Sequence, residues 1–188
     1  MTETTQGSPP QSGGGSTCII IVGAPGQGKT RKAKEILAAL SKTKTAYVFD
    51  VNNEYDEYAP TERDCTCDRE YFTATISERD EESRVFTMQN RVILVEDATA
   101  FFSSRVSPKI VECVAAMRHT GNSFVFLFHS LFYVPENLMQ FADWLILFKT
   151  VDELPKIQRK YPSLLQKVIK VRSLPKHSCL SIQRYTIK

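Results

Sequence analysis

Cys18-Ile19-Ile20-Ile21-Val22 runs straight into Gly23-Ala24-Pro25-Gly26-Gln27-Gly28-Lys29-Thr30-Arg31, and the reading of this junction decides the fold. A short apolar run without polar alternation fits a strand buried on both faces of a parallel sheet. Beyond the turn, Ala33, Ile36, Leu37 and Leu40 recur at helical spacing, so Lys29 to Leu40 reads as a helix. Gly23 to Thr30 fits G-x-x-x-x-G-K-[ST], and a strand before it with a helix after it is the context in which that spacing cradles phosphate. The glycines let backbone N–H groups turn inward to phosphate oxygens, while the helix offers its positive end to the same charge. Lys29 then reaches the β- and γ-phosphates, and Thr30 offers its hydroxyl to a Mg²⁺ bridging them. The ligand expected is ATP with Mg²⁺, held by Gly23, Ala24, Pro25, Gly26, Gln27, Gly28, Lys29, Thr30 and Arg31.

Further strands are expected at Ala46–Phe49, Val92–Val95, Phe124–Phe128 and Trp144–Phe148, all short apolar runs. Ser107 is a candidate N-cap for a helix over Pro108–Met117, with proline at its first position and Gly121 just beyond its end as terminator. Alternating strands and helices predict an α/β domain. The chain has 188 residues, enough for one such domain. Residues 1–16 hold four of the eight glycines and, after Met1, no large apolar side chain, so they read as a flexible tail before a domain over 17–188. Within that domain the expected core is 17–150, and 151–188 is a basic C-terminal segment.

Charge is uneven although the net value is only +3. Residues 54–82 carry eleven acids against three arginines and read as a solvated loop or excursion. Residues 149–188 carry ten bases against two acids. That basic end suits DNA phosphates, and it equally suits an ordinary solvated helix face around Leu164, Leu165, Val168, Ile169 and Val171. No apolar run approaches the ~20 residues of a membrane span, and no export signal is visible. Five scattered cysteines fit a reducing compartment, and Cys65-Thr66-Cys67 lacks a second ligand pair for zinc. Phe101, Phe102, Phe128, Phe132 and Tyr133 read as core or subunit-packing aromatics.

Val92-Ile93-Leu94-Val95 ends in Glu96-Asp97, an apolar strand tipped by two carboxylates, the Walker B arrangement. Successive residues of an extended chain face opposite sides, so two acids there can serve two tasks. Glu96 is expected to hold Mg²⁺ through a water and Asp97 to polarise the attacking water. The usual order is Asp then Glu, and its reversal here leaves open which acid is the base. The strand Phe124–Phe128 ends in His129-Ser130, and either side chain is a candidate for contact with the γ-phosphate or the water. Asp50 and Glu54 either tune this site or cap a turn.

These motifs in this order resemble the FtsK/HerA superfamily of ring-forming DNA-pumping ATPases, particularly the small genome-packaging ATPases of tailless, often membrane-containing viruses. The resemblance covers roughly residues 17–150. It rests on Gly23–Thr30, on Tyr47-Val-Phe-Asp50 with Glu54-Tyr55, on Val92–Asp97, and on Met117-Arg118-His119-Thr120-Gly121 leading into Phe124–His129. It implies a P-loop NTPase fold of the RecA/ASCE-like type, with a parallel sheet flanked by helices. It also implies an ATPase that packages viral double-stranded DNA into a preformed capsid as a homo-oligomeric ring, a hexamer or pentamer, with capsid or portal-vertex proteins as partners. Such a protein works at the packaging vertex of the virion or in the host cytoplasm during assembly.

By the same resemblance Arg118 is the arginine that reaches a neighbouring subunit's nucleotide, with Arg105 in reserve. A cation answering the dipole of its own helix is the local alternative for Arg118. The family commonly carries Gln where this chain has His129. Two other functions fit the size and motifs: a small P-loop kinase, and an assembly ATPase of the filamentous-phage type.

Overall fold

The computed structural model describes residues 15–50, 52–55, 63–64, 69–102 and 105–183. Each apolar run singled out above is a strand: β1 (Cys18–Val22), β2 (Thr45–Phe49), β4 (Arg91–Val95), β5 (Ser123–Phe128) and β6 (Trp144–Phe148). The two-residue β3 (Arg63–Asp64) and an antiparallel β7 (Cys179–Gln183) complete a seven-stranded sheet in the order β3-β2-β4-β5-β1-β6-β7. All pairings except β6 with β7 are parallel.

Alternation along the buried strands sends side chains to two cores. Ile19, Ile21, Val92, Leu94, Val125 and Leu127 meet Ala33, Ile36 and Leu37 of helix α1 (Lys29–Leu40) on one face. Ile20, Val22, Ile93, Phe124 and Phe126 face the other core, covered by α2 (Arg69–Ser77), α4 (Pro108–Ala115), α7 (Leu154–Lys160) and α8 (Leu165–Ser173). Burial on both faces is why these strands read as continuous apolar runs.

Two short helices, α3 (Ala98–Phe101) and α6 (Glu136–Met139), follow the tips of β4 and β5. Helix α4 begins as expected, with Pro108 in its first turn and the Ser107 side chain accepting from the Ile110 N–H. After a break at Ala116 it continues as α5 (Met117–Thr120), which ends at Gly121 in the left-handed conformation (φ 72).

One expectation needs correction. Part of the acidic stretch is ordered: Phe72 and Ile76, four residues apart on α2, lie in the core although charged residues surround them. In the basic end the amphipathic helix turns one side inward: Leu164, Val168 and Val171 are buried in the core with Ile157 and Ile182, while Ile169 is exposed. Of the tail only Gly15 and Ser16 are described, and the Ser16 hydroxyl donates to the Met117 carbonyl. Cys65 and Cys67 lie outside the described residues. Among the described residues no helix is long and apolar enough to cross a membrane.

Candidate functional site

Parallel register aligns the strand tips. Val22 pairs with Phe128, and Val95 with Phe126, so the residues that follow β1, β4 and β5 emerge together at one edge of the sheet. The glycine loop is pinned there by Gly23 N–H donating to Phe128 O (3.1 Å) and Ala24 N–H donating to Lys149 O (2.8 Å). A side chain at Gly23 has no room, since a Cβ would stand 2.6 Å from the Phe148 Cβ. Gly28 holds φ 99 and starts α1 with no side-chain cap, which leaves the first-turn N–H groups without a side-chain acceptor from the cap residue. Gln27 Oε1 is buried and accepts no hydrogen bond among the described residues. An open helix start and a left-handed glycine together fit a loop shaped around phosphate.

Lys29 is 6% exposed and points along this edge. Its Nζ donates to Ala24 O and lies 3.2 Å from His129 Nδ1. Burial lowers its pKa, against the opposing pull of Glu96, Asp97 and Glu54. The other imidazole nitrogen, Nε2, is 3.2 Å from Asp97 Oδ1, without hydrogen-bond alignment. With Nδ1 accepting from the ammonium, the neutral tautomer carries its proton on Nε2, towards the carboxylate. Lys29, His129 and Asp97 therefore form one line across the tips of β1, β5 and β4.

The two adjacent acids have different surroundings. Asp97 is left-handed (φ 46) and its side chain is 27% exposed. Glu96 is 3% exposed, and its Oε2 accepts from the Tyr55 hydroxyl at 2.5 Å. Burial pushes its carboxyl up to about 7, partly offset by the Tyr55 hydrogen bond and by Lys29. Burial and the neighbouring carboxylates drive the Tyr55 hydroxyl far above its ordinary value.

Of the two readings of Asp50 and Glu54, the capped turn is seen directly for Asp50. Fully buried Asp50 accepts from the N–H groups of Glu54 (2.9 Å) and Tyr55 (3.0 Å), which fixes the turn after β2. That turn delivers Tyr55 to Glu96 and Glu54 to the loop, where Glu54 Oε2 accepts from Thr30 Oγ1 at 3.1 Å. Thr30 and Glu54 thus bring two oxygen donors together beside the loop, the donor type that suits Mg²⁺.

His129 joins the line, and its neighbour does not. Ser130 donates to Asp152, which also accepts from the Leu131 and Phe132 N–H groups, so Ser130 serves the turn after β5. Arg31 is largely exposed on α1 and pairs with Glu35 at 3.5 Å. Arg118 is exposed on α5, which precedes β5, so it stands at the opposite end of the sheet from the loop. A strand of this length separates the two by about 15–20 Å. Arg105, on the loop side, lines a cavity of about 580 Å³ with Glu136, Asn137 and Lys160. Phe101, Phe102 and Phe128 are core residues, whereas Phe132 and Tyr133 are exposed.

Sequence reasoning had no role for Tyr55 beyond the Glu-Tyr resemblance, and none for Asp152. Their partners lie 41 and 22 positions away in the chain, and no local spacing announces them.

No family model and no curated protein sequence matches the chain. Solved structures do. The genome packaging NTPase B204 from Sulfolobus turreted icosahedral virus 2, in complex with AMPPCP, superposes with a TM-score of 0.72 at 19% identity, over 92% of this chain and 95% of that one. The chain has the fold of B204. A second structure, of the DNA-packaging ATPase B204 from Sulfolobus Turreted Icosahedral Virus, gives 0.70 at 17% identity over 92% and 94%. The N-terminal domain of zonular occludens toxin from Neisseria meningitidis follows at 0.54 and 16% identity, over 70% and 76%. The resemblance to small packaging ATPases carried by the motifs is thus a likeness of fold as well. With β5 inserted between the loop strand β1 and the acidic strand β4, the sheet has the order expected of the RecA/ASCE-like class.

Proposed function

We propose that this chain is an ATPase that drives viral double-stranded DNA into a preformed capsid, acting as a homo-oligomeric ring of five or six copies. The observation that carries the reading is the line Lys29–His129–Asp97 beside a left-handed glycine loop, on a fold shared with a viral packaging NTPase. Gly23, Ala24 and Pro25 shape the loop, backbone N–H groups of residues 26–30 bind the phosphates, and Lys29 places its charge on the β- and γ-oxygens. Arg31 extends the contact from the first turn of α1.

Thr30 would hold the metal directly and Glu96 through a water, with Glu54 behind Thr30. Mg²⁺ supplies neutralisation of the phosphate oxygens when bound. Asp97, the more accessible acid, orients the attacking water and draws its proton, and His129 senses the terminal phosphate from Lys29's other side. Arg118 lies too far from the loop to serve its own site, and in a ring it acts as the finger on the next copy's nucleotide. An arginine in that role is worth about 10³–10⁵ in rate. Exposed Lys167, Lys170 and Lys176 offer a surface for DNA phosphates, and capsid or portal-vertex proteins are the docking partners. The protein acts at the packaging vertex or in the host cytoplasm during assembly.

The test is steady-state hydrolysis against protein concentration, with and without duplex DNA. Turnover per subunit should rise with both. Lys29→Ala should abolish ATP binding, Asp97→Asn should retain bound ATP unhydrolysed, and Arg118→Ala should bind ATP while losing turnover. Concentration-independent hydrolysis by a monomer would refute the ring. Phosphoryl transfer to a small acceptor instead of water would replace the motor with a kinase.

A further inference from the structure

We propose that the turn joining α8 to β7 forms the nucleoside side of the triphosphate site, with His177 stacking on the base; this rests on the nucleotide reading above. Strand order supplies the direction. β5 and β4 lie on one side of β1, and β6 and β7 on the other. Lys29 Nζ turns towards the first side, to His129 and, beyond it, Asp97, so the terminal phosphate lies there. A triphosphate laid along the loop therefore leaves its nucleoside towards β6 and β7.

What stands on that side is a ring. His177 Nδ1 lies 3.4 Å, and Phe148 Cε1 3.7 Å, from where a Cβ on Gly28 would project. Phe148 is buried beneath the loop, whereas His177 is exposed above it. The turn Pro175-Lys176-His177-Ser178 closes with Ser178 N–H donating to Pro175 O at 3.2 Å. His177 takes φ 66 at its third position, where glycine or asparagine sits without strain. A residue with a full side chain in that conformation, set against the phosphate loop, indicates that the side chain is used. A flat imidazole contributes by stacking, which any base accepts, so it strengthens nucleotide binding relative to phosphate alone without choosing between bases.

The experiment compares the full chain with His177→Gly and His177→Asn, both suited to the left-handed turn. Each is titrated calorimetrically with ATP and with inorganic tripolyphosphate, in the presence of Mg²⁺. Both variants should bind ATP about tenfold more weakly and tripolyphosphate as tightly as the parent, with a melting temperature no lower than the parent's. Unaltered ATP affinity in either variant, or an equal loss for tripolyphosphate, overturns the base contact. A parent chain that binds neither ligand overturns the nucleotide reading itself, a distinct result.

Discussion

Replacing Glu96 by Gln should stabilise the protein, increasingly as pH rises. The carboxyl is buried at the tip of β4 and titrates near 7 instead of 4.5, because burial penalises its charge more than Tyr55 and Lys29 relieve it. The folded state thus holds this proton more tightly than the unfolded chain does. Stability from Glu96 is complete below its unfolded value and is lost as pH rises through about 7. At about 1.4 kcal/mol for each tenfold change in proton affinity, the full loss is about 3 kcal/mol. Gln keeps an oxygen for the Tyr55 hydroxyl and has no charge to bury. Its advantage over the parent should grow from about 1 kcal/mol at pH 5 to about 3 kcal/mol at pH 8. Urea unfolding across that range, without nucleotide, measures the gap, and melting should rise by about 5–10 °C at the alkaline end. A gap that stays constant or shrinks with pH would refute the assignment of a destabilising buried carboxylate.

Three more perturbations follow from the same geometry. Tyr55→Phe removes the hydrogen bond that lowers the Glu96 carboxyl, so the loss of stability should continue to higher pH, with an overall cost of about 1–3 kcal/mol by urea unfolding. Asp152→Ala strands the Ser130 hydroxyl and the Leu131 and Phe132 N–H groups, and should cost about 3 kcal/mol or more in the same assay. Gly23→Ala drives a methyl group into Phe148 and must push the loop off β6. It should cost about 1–3 kcal/mol and weaken ATP binding in calorimetry, and full affinity at parental stability would contradict the close approach.

How much of this was legible depended on distance along the chain. The five main strands announced themselves because burial on both faces leaves no polar residue to interrupt them. β7 did not, since Cys179, Leu180 and Ser181 are only half-buried at a sheet edge. α2 was hidden because Phe72 and Ile76 alone reach the core from within an acidic stretch. The glycine loop is contiguous and was readable as it stands. Tyr55 with Glu96, and Lys29 with His129, are encounters made by parallel pairing of strands remote in sequence, 41 and 100 positions apart. The choice between His129 and Ser130 turned on Asp152, which no motif reveals.

β5 begins five residues after Arg118 and ends immediately before His129, and all six of its own residues are buried. A strand packed on both faces cannot flex along its length without opening the core, so it transmits displacement as a stiff rod. In the proposed ring, a shift of His129 when the terminal phosphate departs would be delivered some 15–20 Å away, where Arg118 meets the following copy. Firing order around the assembly would then be set inside each protomer by a single beam, with no separate signalling element required.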